Sequence, residues 1–203
     1  KGIYYSVYVD DDMKKGTIIT TYGDVYSTVD GVEFSQVYDA HLSDKGFEPG
    51  SITKSDEIDN DHIWAIGMKK VENIYYPFIL FKNNETDGWK EHYFASEPNT
   101  IAAEVSFADK ANGYFLINNS TIYKTTDGGD TWTKIYSGEK FTKLVFKDAN
   151  TGWAVLENKI YKTVDGAKTW TLDCTNTQAI KAIGYKNNIV WAISIDKIIK
   201  RYL

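Results

Sequence analysis

Residues 123–132 read Tyr-Lys-Thr-Thr-Asp-Gly-Gly-Asp-Thr-Trp, and residues 161–170 read Tyr-Lys-Thr-Val-Asp-Gly-Ala-Lys-Thr-Trp. Asp127 and Asp165 lie 38 positions apart, as do Trp132 and Trp170. Upstream of each box a glycine–aromatic pair, Gly113-Tyr114 or Gly152-Trp153, opens a strand-like run. Self-similarity at a period of this size marks a stacked repeat, in which each unit buries its apolar face against the next.

The frame extends both ways. Trp191-Ala192-Ile193 falls 38 residues after Trp153-Ala154-Val155, and Lys197-Ile198-Ile199-Lys200 falls on Lys159-Ile160-Tyr161-Lys162. Near the start, Tyr26-Ser27-Thr28-Val29-Asp30-Gly31 matches the first half of the box but lacks its Thr-Trp ending. A weaker copy runs through Ile63-Trp64-Ala65-Ile66-Gly67 and then 81–89, where the Asp register is lost and Trp89 remains. The chain thus divides into five units of one domain, near 1–48, 49–97, 98–138, 139–176 and 177–203.

Each unit carries short strand candidates separated by Asn, Gly and Asp turn signals. In the fourth unit they fall at 141–147, 153–156, 159–163 and 170–173, and the last unit reaches a third strand at 198–203. No segment sustains a 3.6-residue apolar period, so little helix is expected. Evenly spaced short strands with a glycine–aromatic motif per unit predict an all-β chain, a β-propeller of about five four-stranded blades.

The box residues suit a turn between a blade's third and fourth strands. Asp127 and Asp165 can accept backbone N–H groups of their own turn. Gly128 and Gly166 tolerate the positive φ such a turn needs. Thr125 and Thr163 add a hydroxyl, and Trp132 and Trp170 cover the joint between strands and neighbouring blade. Local turn chemistry accounts for the motif without a ligand. A calcium loop would require further oxygens at set positions, which the box lacks.

The segment Phe146-Lys147-Asp148-Ala149-Asn150-Thr151-Gly152-Trp153-Ala154-Val155, followed by Ile160-Tyr161-Lys162-Thr163-Val164-Asp165-Gly166, resembles the Asp-box, or bacterial neuraminidase, repeat. It is most similar to the version in photosystem II assembly and stability factors and their bacterial relatives. The likeness is dense over 98–203 and patchy over 1–97. It implies a propeller with Asp-box turns and an exported protein, secreted or in the cell envelope, but no particular activity. Lys1 is not an initiator Met, in keeping with a removed leader or a trimmed chain.

Composition narrows the function. Sialidases grip the substrate carboxylate with three arginines, a bidentate geometry that lysine does not reproduce. This sequence has Arg201 alone, so the sialidase reading fails. A net charge of −5, with lysines scattered singly or in pairs, argues against a nucleic-acid partner. No apolar run is long enough for a membrane helix. Cys174 is the only cysteine, which excludes an internal disulfide framework. His41, His62 and His92 share no ligand spacing, and neither a nucleophile elbow nor a phosphate-cradling loop occurs. The acidic stretches 10–12 and 56–61 read as equivalent loops between first and second strands, where a solvated turn outweighs a calcium site. No catalytic residue, metal ligand or cofactor is therefore expected.

The expected function is a non-catalytic binding or assembly module that shows a propeller face to a protein or glycan. The alternative is a carbohydrate-active enzyme or lectin-like domain. Functional loops on propellers are longer and less regular than structural turns. By that criterion the expected ligand face lies opposite the boxes. It is dominated by the link 41–51 and the long hairpin at 68–76, with His41, Lys69, Lys70, Glu72, Tyr75 and Tyr76 as candidate binding residues.

Overall fold

The computed structural model describes residues 4–40, 52–195 and 197–202. They contain strands and turns and no helix. The chain forms two compact units, Lys1–Ala102 and Ala103–Leu203. The first holds two antiparallel sheets: β1 (Tyr4–Val9), β2 (Gly16–Thr20), β3 (Val25–Thr28) and β4 (Ser35–Tyr38), then β5 (Ile52–Asp59), β6 (His62–Val71), β7 (Ile74–Lys82) and β8 (Lys90–Tyr93). The second holds three. The third sheet is β9 (Ala102–Phe107), β10 (Gly113–Ile117), β11 (Thr121–Thr125) and β12 (Thr133–Ser137). The fourth is β13 (Lys143–Phe146), β14 (Gly152–Leu156), β15 (Lys159–Thr163) and β16 (Thr171–Thr175), and the fifth is β17 (Ile180–Lys186), β18 (Ile189–Ser194) and β19 (Ile198–Tyr202). In every sheet the strands follow in chain order as a meander. These are the five blades the repeat predicts, the last with three strands among the described residues.

One strand shows why the sheets stack as blades. Side chains alternate across a strand, so its two faces meet different neighbours. In β14, Trp153 and Val155 join a cluster with Ile180, Val190 and Ala192 of the fifth sheet. Ala154 between them joins Tyr114, Leu116 and Ile122 of the third. The segment Gly152–Val155 is buried on both faces, as in a sheet covered on both sides. In the first unit Ile19 and Val25 pack in the same way against Ile52, Ile63, Ala65, Phe78 and Leu80.

The glycine of each glycine–aromatic pair has a steric reason. A Cβ on Gly152 would lie 2.5 Å from the Phe146 ring, and one on Gly113 would lie 2.3 Å from the Phe107 ring. Phe146 in turn stacks on Tyr114 of the neighbouring sheet, with ring centroids 3.4 Å apart.

One sequence expectation is revised and a matching one holds. The acidic stretch 56–61 is not a loop throughout: Asp56 to Asp59 lie in β5, and the turn is Asn60-Asp61. Between Ile52 and Ile58 the strand carries only polar side chains, which hid it from the alternation pattern. The loop at Asp10 is the turn expected, with the Asp10 carboxylate accepting the N–H groups of Lys14 (3.0 Å) and Lys15 (2.9 Å).

Candidate functional site

The Asp-Gly turns fix one end of each sheet that carries them. Thr163 Oγ1 donates to Asp165 (2.8 Å) and accepts the Ala167 N–H (3.0 Å). Asp165 then takes the N–H and hydroxyl of Thr169, at 3.0 and 2.6 Å. The turn at Asp127 repeats this, with Thr125 (2.7 Å) and both donors of Thr131 (2.9 and 2.5 Å). Gly128 and Gly166 have φ of 75° and 72°. Thr131 and Thr169 are the members that turn chemistry alone did not single out, although the Thr-Trp ending of each box carried the signal.

These bonds stabilise the charged carboxylates. Donation from the Thr169 hydroxyl and N–H holds Asp165 down at about 2. At Asp127 burial pushes upward, and the Thr131 and Thr125 bonds outweigh it, so its carboxyl also stays low. Trp170 lies edge-on to Tyr136 of β12 and beside Phe141, with centroids 6.5 and 5.0 Å away, and so covers the joint between third and fourth sheets. Trp132 instead packs on Phe107 and Phe115 of its own sheet.

Each turn is tied to the first hairpin of its own sheet, Gly128 N–H to the Ala111 carbonyl and Gly166 N–H to that of Asn150. First-to-second and third-to-fourth turns therefore share one rim. The second-to-third turns lie at the other end of the same strands.

At that other end of its own strands the second sheet is unlike the rest. Strands β6 and β7 pair from Ile63↔Lys82 to Val71↔Ile74, whereas β10 and β11 stop after Ile117↔Thr121. The additional ladder is Met68↔Pro77, Lys69↔Tyr76, Lys70↔Tyr75 and Val71↔Ile74, closed by Glu72 (φ 49°) and Asn73 (φ 66°). Two central residues at positive φ make a turn that suits the twist of a hairpin. The matching hairpin of the third sheet uses Asn118 and Asn119 there. Glutamate is an uncommon occupant of that region, and the fourth sheet repeats it with Glu157 (φ 55°) between β14 and β15.

The candidate side chains divide between the hairpin's two faces. Lys69 is 7% exposed and pairs with Glu91 of β8 at 2.5 Å, so its charge is held inside the blade. Its neighbour Lys70 points the other way and lies over the Tyr75 ring, 5.7 Å from its centroid. Tyr75 and Glu72 are exposed, and Tyr76 is half-buried against Tyr93 with centroids 5.6 Å apart. His41 and the link 41–51 lie outside the described residues. The hairpin thus offers a cation, a carboxylate and an aromatic face, with Lys69 as internal support.

Among the described residues no group of three or more His, Cys, Asp or Glu side chains converges to hold a metal ion. No helix is long and apolar enough to cross a membrane.

Meander sheets of this length, packed face to face within each unit and turned by a recurrent Asp-Gly motif, define a repeat β-propeller. The chain belongs to the family of the DUF6242 beta propeller domain, whose profile matches residues 58–182. Among curated proteins none matches. The fold is similar to that of YCF48 from Cyanidioschyzon merolae, with a TM-score of 0.66 at 14% identity over 99% of this chain and 69% of that one. It is equally similar to YCF48 bound to D1 peptide, with a TM-score of 0.66 at 15% identity over 98% of this chain and 64% of that one. It is also similar to PorZ of Porphyromonas gingivalis, with a TM-score of 0.55 at 11% identity over 98% of this chain and 27% of that one. The chain thus spans about two thirds of YCF48, and at these identities the likeness is one of fold.

Proposed function

We propose that this chain is a non-catalytic binding and assembly module, with Asp-box turns as its frame. It works outside the cytoplasm, secreted or in the cell envelope, and takes a protein or glycan on the rim opposite those turns. The observation that carries the reading is the extended β6–β7 hairpin. It prolongs one blade by four residue pairs and closes with Glu72 at φ 49°. An extension of this length, which the third sheet lacks and which carries exposed Glu72 and Tyr75 at its tip, is the kind of feature that recognition retains. Two of the similar structures lend support: YCF48 is described bound to a D1 peptide, and PorZ as a bacterial surface component of a secretion system.

The test is a binding screen of the chain against peptide and glycan arrays, run beside a Lys70→Ser, Tyr75→Ser, Tyr76→Ser triple variant. Ligands held by the parent are expected to be lost by the variant while the far-ultraviolet spectrum stays the same. Identical array profiles for the two proteins, or turnover of any arrayed glycan, would overturn the reading.

A further inference from the structure

In the first unit a cleft of about 320 Å³ opens between the first and second sheets, on the rim that carries the Asp-Gly turns. Its origin is visible in the repeat. Between the third and fourth sheets the matching space is filled by Tyr114 and Lys124, a cross-strand pair on β10 and β11. The Tyr114 hydroxyl and Lys124 Nζ both donate to the Ala149 carbonyl, at 2.6 and 2.7 Å. They lie so close under the next turn that a Cβ on Gly166 would meet Lys124 Nζ at 3.0 Å.

In the first sheet that cross-strand pair is Thr17 and Ser27. Neither side chain spans the gap, and both line the cleft. Asn60, in the turn between β5 and β6, stands where Ala149 stands between β13 and β14. Its Nδ2 donates to the Lys15 carbonyl at 3.4 Å, while its buried Oδ1 has no hydrogen-bond partner. Thr17 is 5% exposed, and its hydroxyl makes no hydrogen bond among the described residues. The space that the repeat fills with an ammonium and a phenol is thus open and lined with oxygen acceptors. A buried acceptor without a donor costs on the order of 1–3 kcal/mol, which a bound donor recovers. The other charges of the lining are mostly committed. Lys82 pairs with Asp61 and Asp87 with Lys90, whereas Lys15 and Glu85 stand exposed at the border of the cleft.

We propose that this cleft receives a primary ammonium on a flexible alkyl arm, supplied by a lysine side chain of a protein partner. The incoming Nζ takes the place that Lys124 occupies in the third sheet. It donates to Asn60 Oδ1 and the Thr17 and Ser27 hydroxyls, with Glu85 balancing its charge. Exposed Val29 and Val37 and half-buried Trp89 give the partner's backbone an apolar border. This site lies on the opposite rim from the β6–β7 hairpin and does not depend on the function proposed for that hairpin.

The experiment is a calorimetric titration with three probes: N-acetyl-Gly-Lys-Gly-amide, its norleucine counterpart and n-butylamine. The lysine peptide is expected to bind and the norleucine peptide to give no heat. Two variants locate the site. Ser27→Lys places the chain's own ammonium in the cleft, as Lys124 does, and is expected to abolish peptide binding without lowering the melting temperature. Glu85→Gln, a change on the surface, is expected to weaken binding roughly tenfold through loss of one charge-assisted contact. Equal heats from the lysine and norleucine peptides, or undiminished binding by Ser27→Lys, would overturn the proposal. Binding of n-butylamine as tight as that of the peptide would overturn the assignment to a protein lysine.

Discussion

Replacing Asp165 with alanine removes the centre of a turn whose every bond is defined. The carboxylate accepts the Thr169 N–H at 3.0 Å, the Thr169 hydroxyl at 2.6 Å and the Thr163 hydroxyl at 2.8 Å. In the variant the two Thr169 donors turn to water, since Thr169 is exposed, whereas the buried Thr163 hydroxyl loses its acceptor. The net loss is therefore about 1–2 kcal/mol rather than the full strength of three bonds. The depressed acidity gives a second measure. A carboxyl lowered from 3.8 to about 2 corresponds to at most about 2.4 kcal/mol. Solvent screening at this half-exposed site reduces that to ~1 kcal/mol. Together the two routes give a fall in melting temperature of about 2–8 °C for a chain of this size.

The dependence on pH has a definite sign. The folded acidity constant lies below the unfolded one, so the unfolded chain takes up the proton first as pH falls. The stabilisation is complete above the unfolded value, near 4, and fades as pH drops through the folded value of about 2. Urea unfolding of the parent, Asp165→Ala and Asp165→Asn between pH 7 and pH 2.5 measures this directly. Both variants should be less stable than the parent at pH 7. Asparagine should lose less, because its Oδ1 still accepts the Thr169 N–H. The gap between parent and either variant should narrow only below about pH 4. An unchanged urea midpoint for Asp165→Ala at pH 7, or a gap constant across that range, would refute the structural account of the turn.

Three further substitutions test other parts of the packing. Gly152→Ala puts a Cβ 2.5 Å from the Phe146 ring and is expected to cost about 1–3 kcal/mol by urea unfolding, with parent-like stability counting against the close approach. Tyr114→Phe removes the 2.6 Å bond to the Ala149 carbonyl, which Lys124 still serves, so a loss near 1 kcal/mol is expected and one above about 3 kcal/mol would show that more than this bond was broken. Lys69→Met strands the partly buried Glu91 and should destabilise by about 1–2 kcal/mol, whereas Lys70→Met should stay within about 0.5 kcal/mol, and equal effects would mean that the two faces of the hairpin are alike.

The repeat was readable in the sequence because its chemistry is local. Thr163, Asp165, Ala167 and Thr169 satisfy one another within seven residues, so the pattern survives without knowledge of any neighbour. Where a partner lies far along the chain, the reading weakened. Lys69 and Lys70 look alike in sequence, but pleating sends one inward to Glu91, 22 residues away, and the other across to Tyr75. The degenerate box at 81–89 kept its turn by a different residue: Asn84 Oδ1 accepts the N–H groups of Thr86 at 3.0 Å and Asp87 at 2.7 Å. An amide oxygen replaced the carboxylate three positions ahead of Asp87, and the motif faded although the geometry persisted.

The cleft was hidden for the opposite reason. Thr17, Ser27 and Asn60 are unremarkable residues in strands and a turn, and none belongs to a motif. They become informative only once pairing aligns Thr17 with Ser27 as it aligns Tyr114 with Lys124, and once Asn60 falls on Ala149. A repeat protein contains its own reference, because a junction filled in one place shows what the same junction requires in another. Two adjacent sheets of the second unit meet through an ammonium and a phenol on one carbonyl, and the two sheets of the first unit meet across a gap lined with acceptors. Both large side chains are absent from the same face at the same level, while the cores below, Ile19 against Ile63 and Leu116 against Ala154, remain packed. Stability therefore does not require the gap to be filled, and its acceptors are left free for a donor from outside.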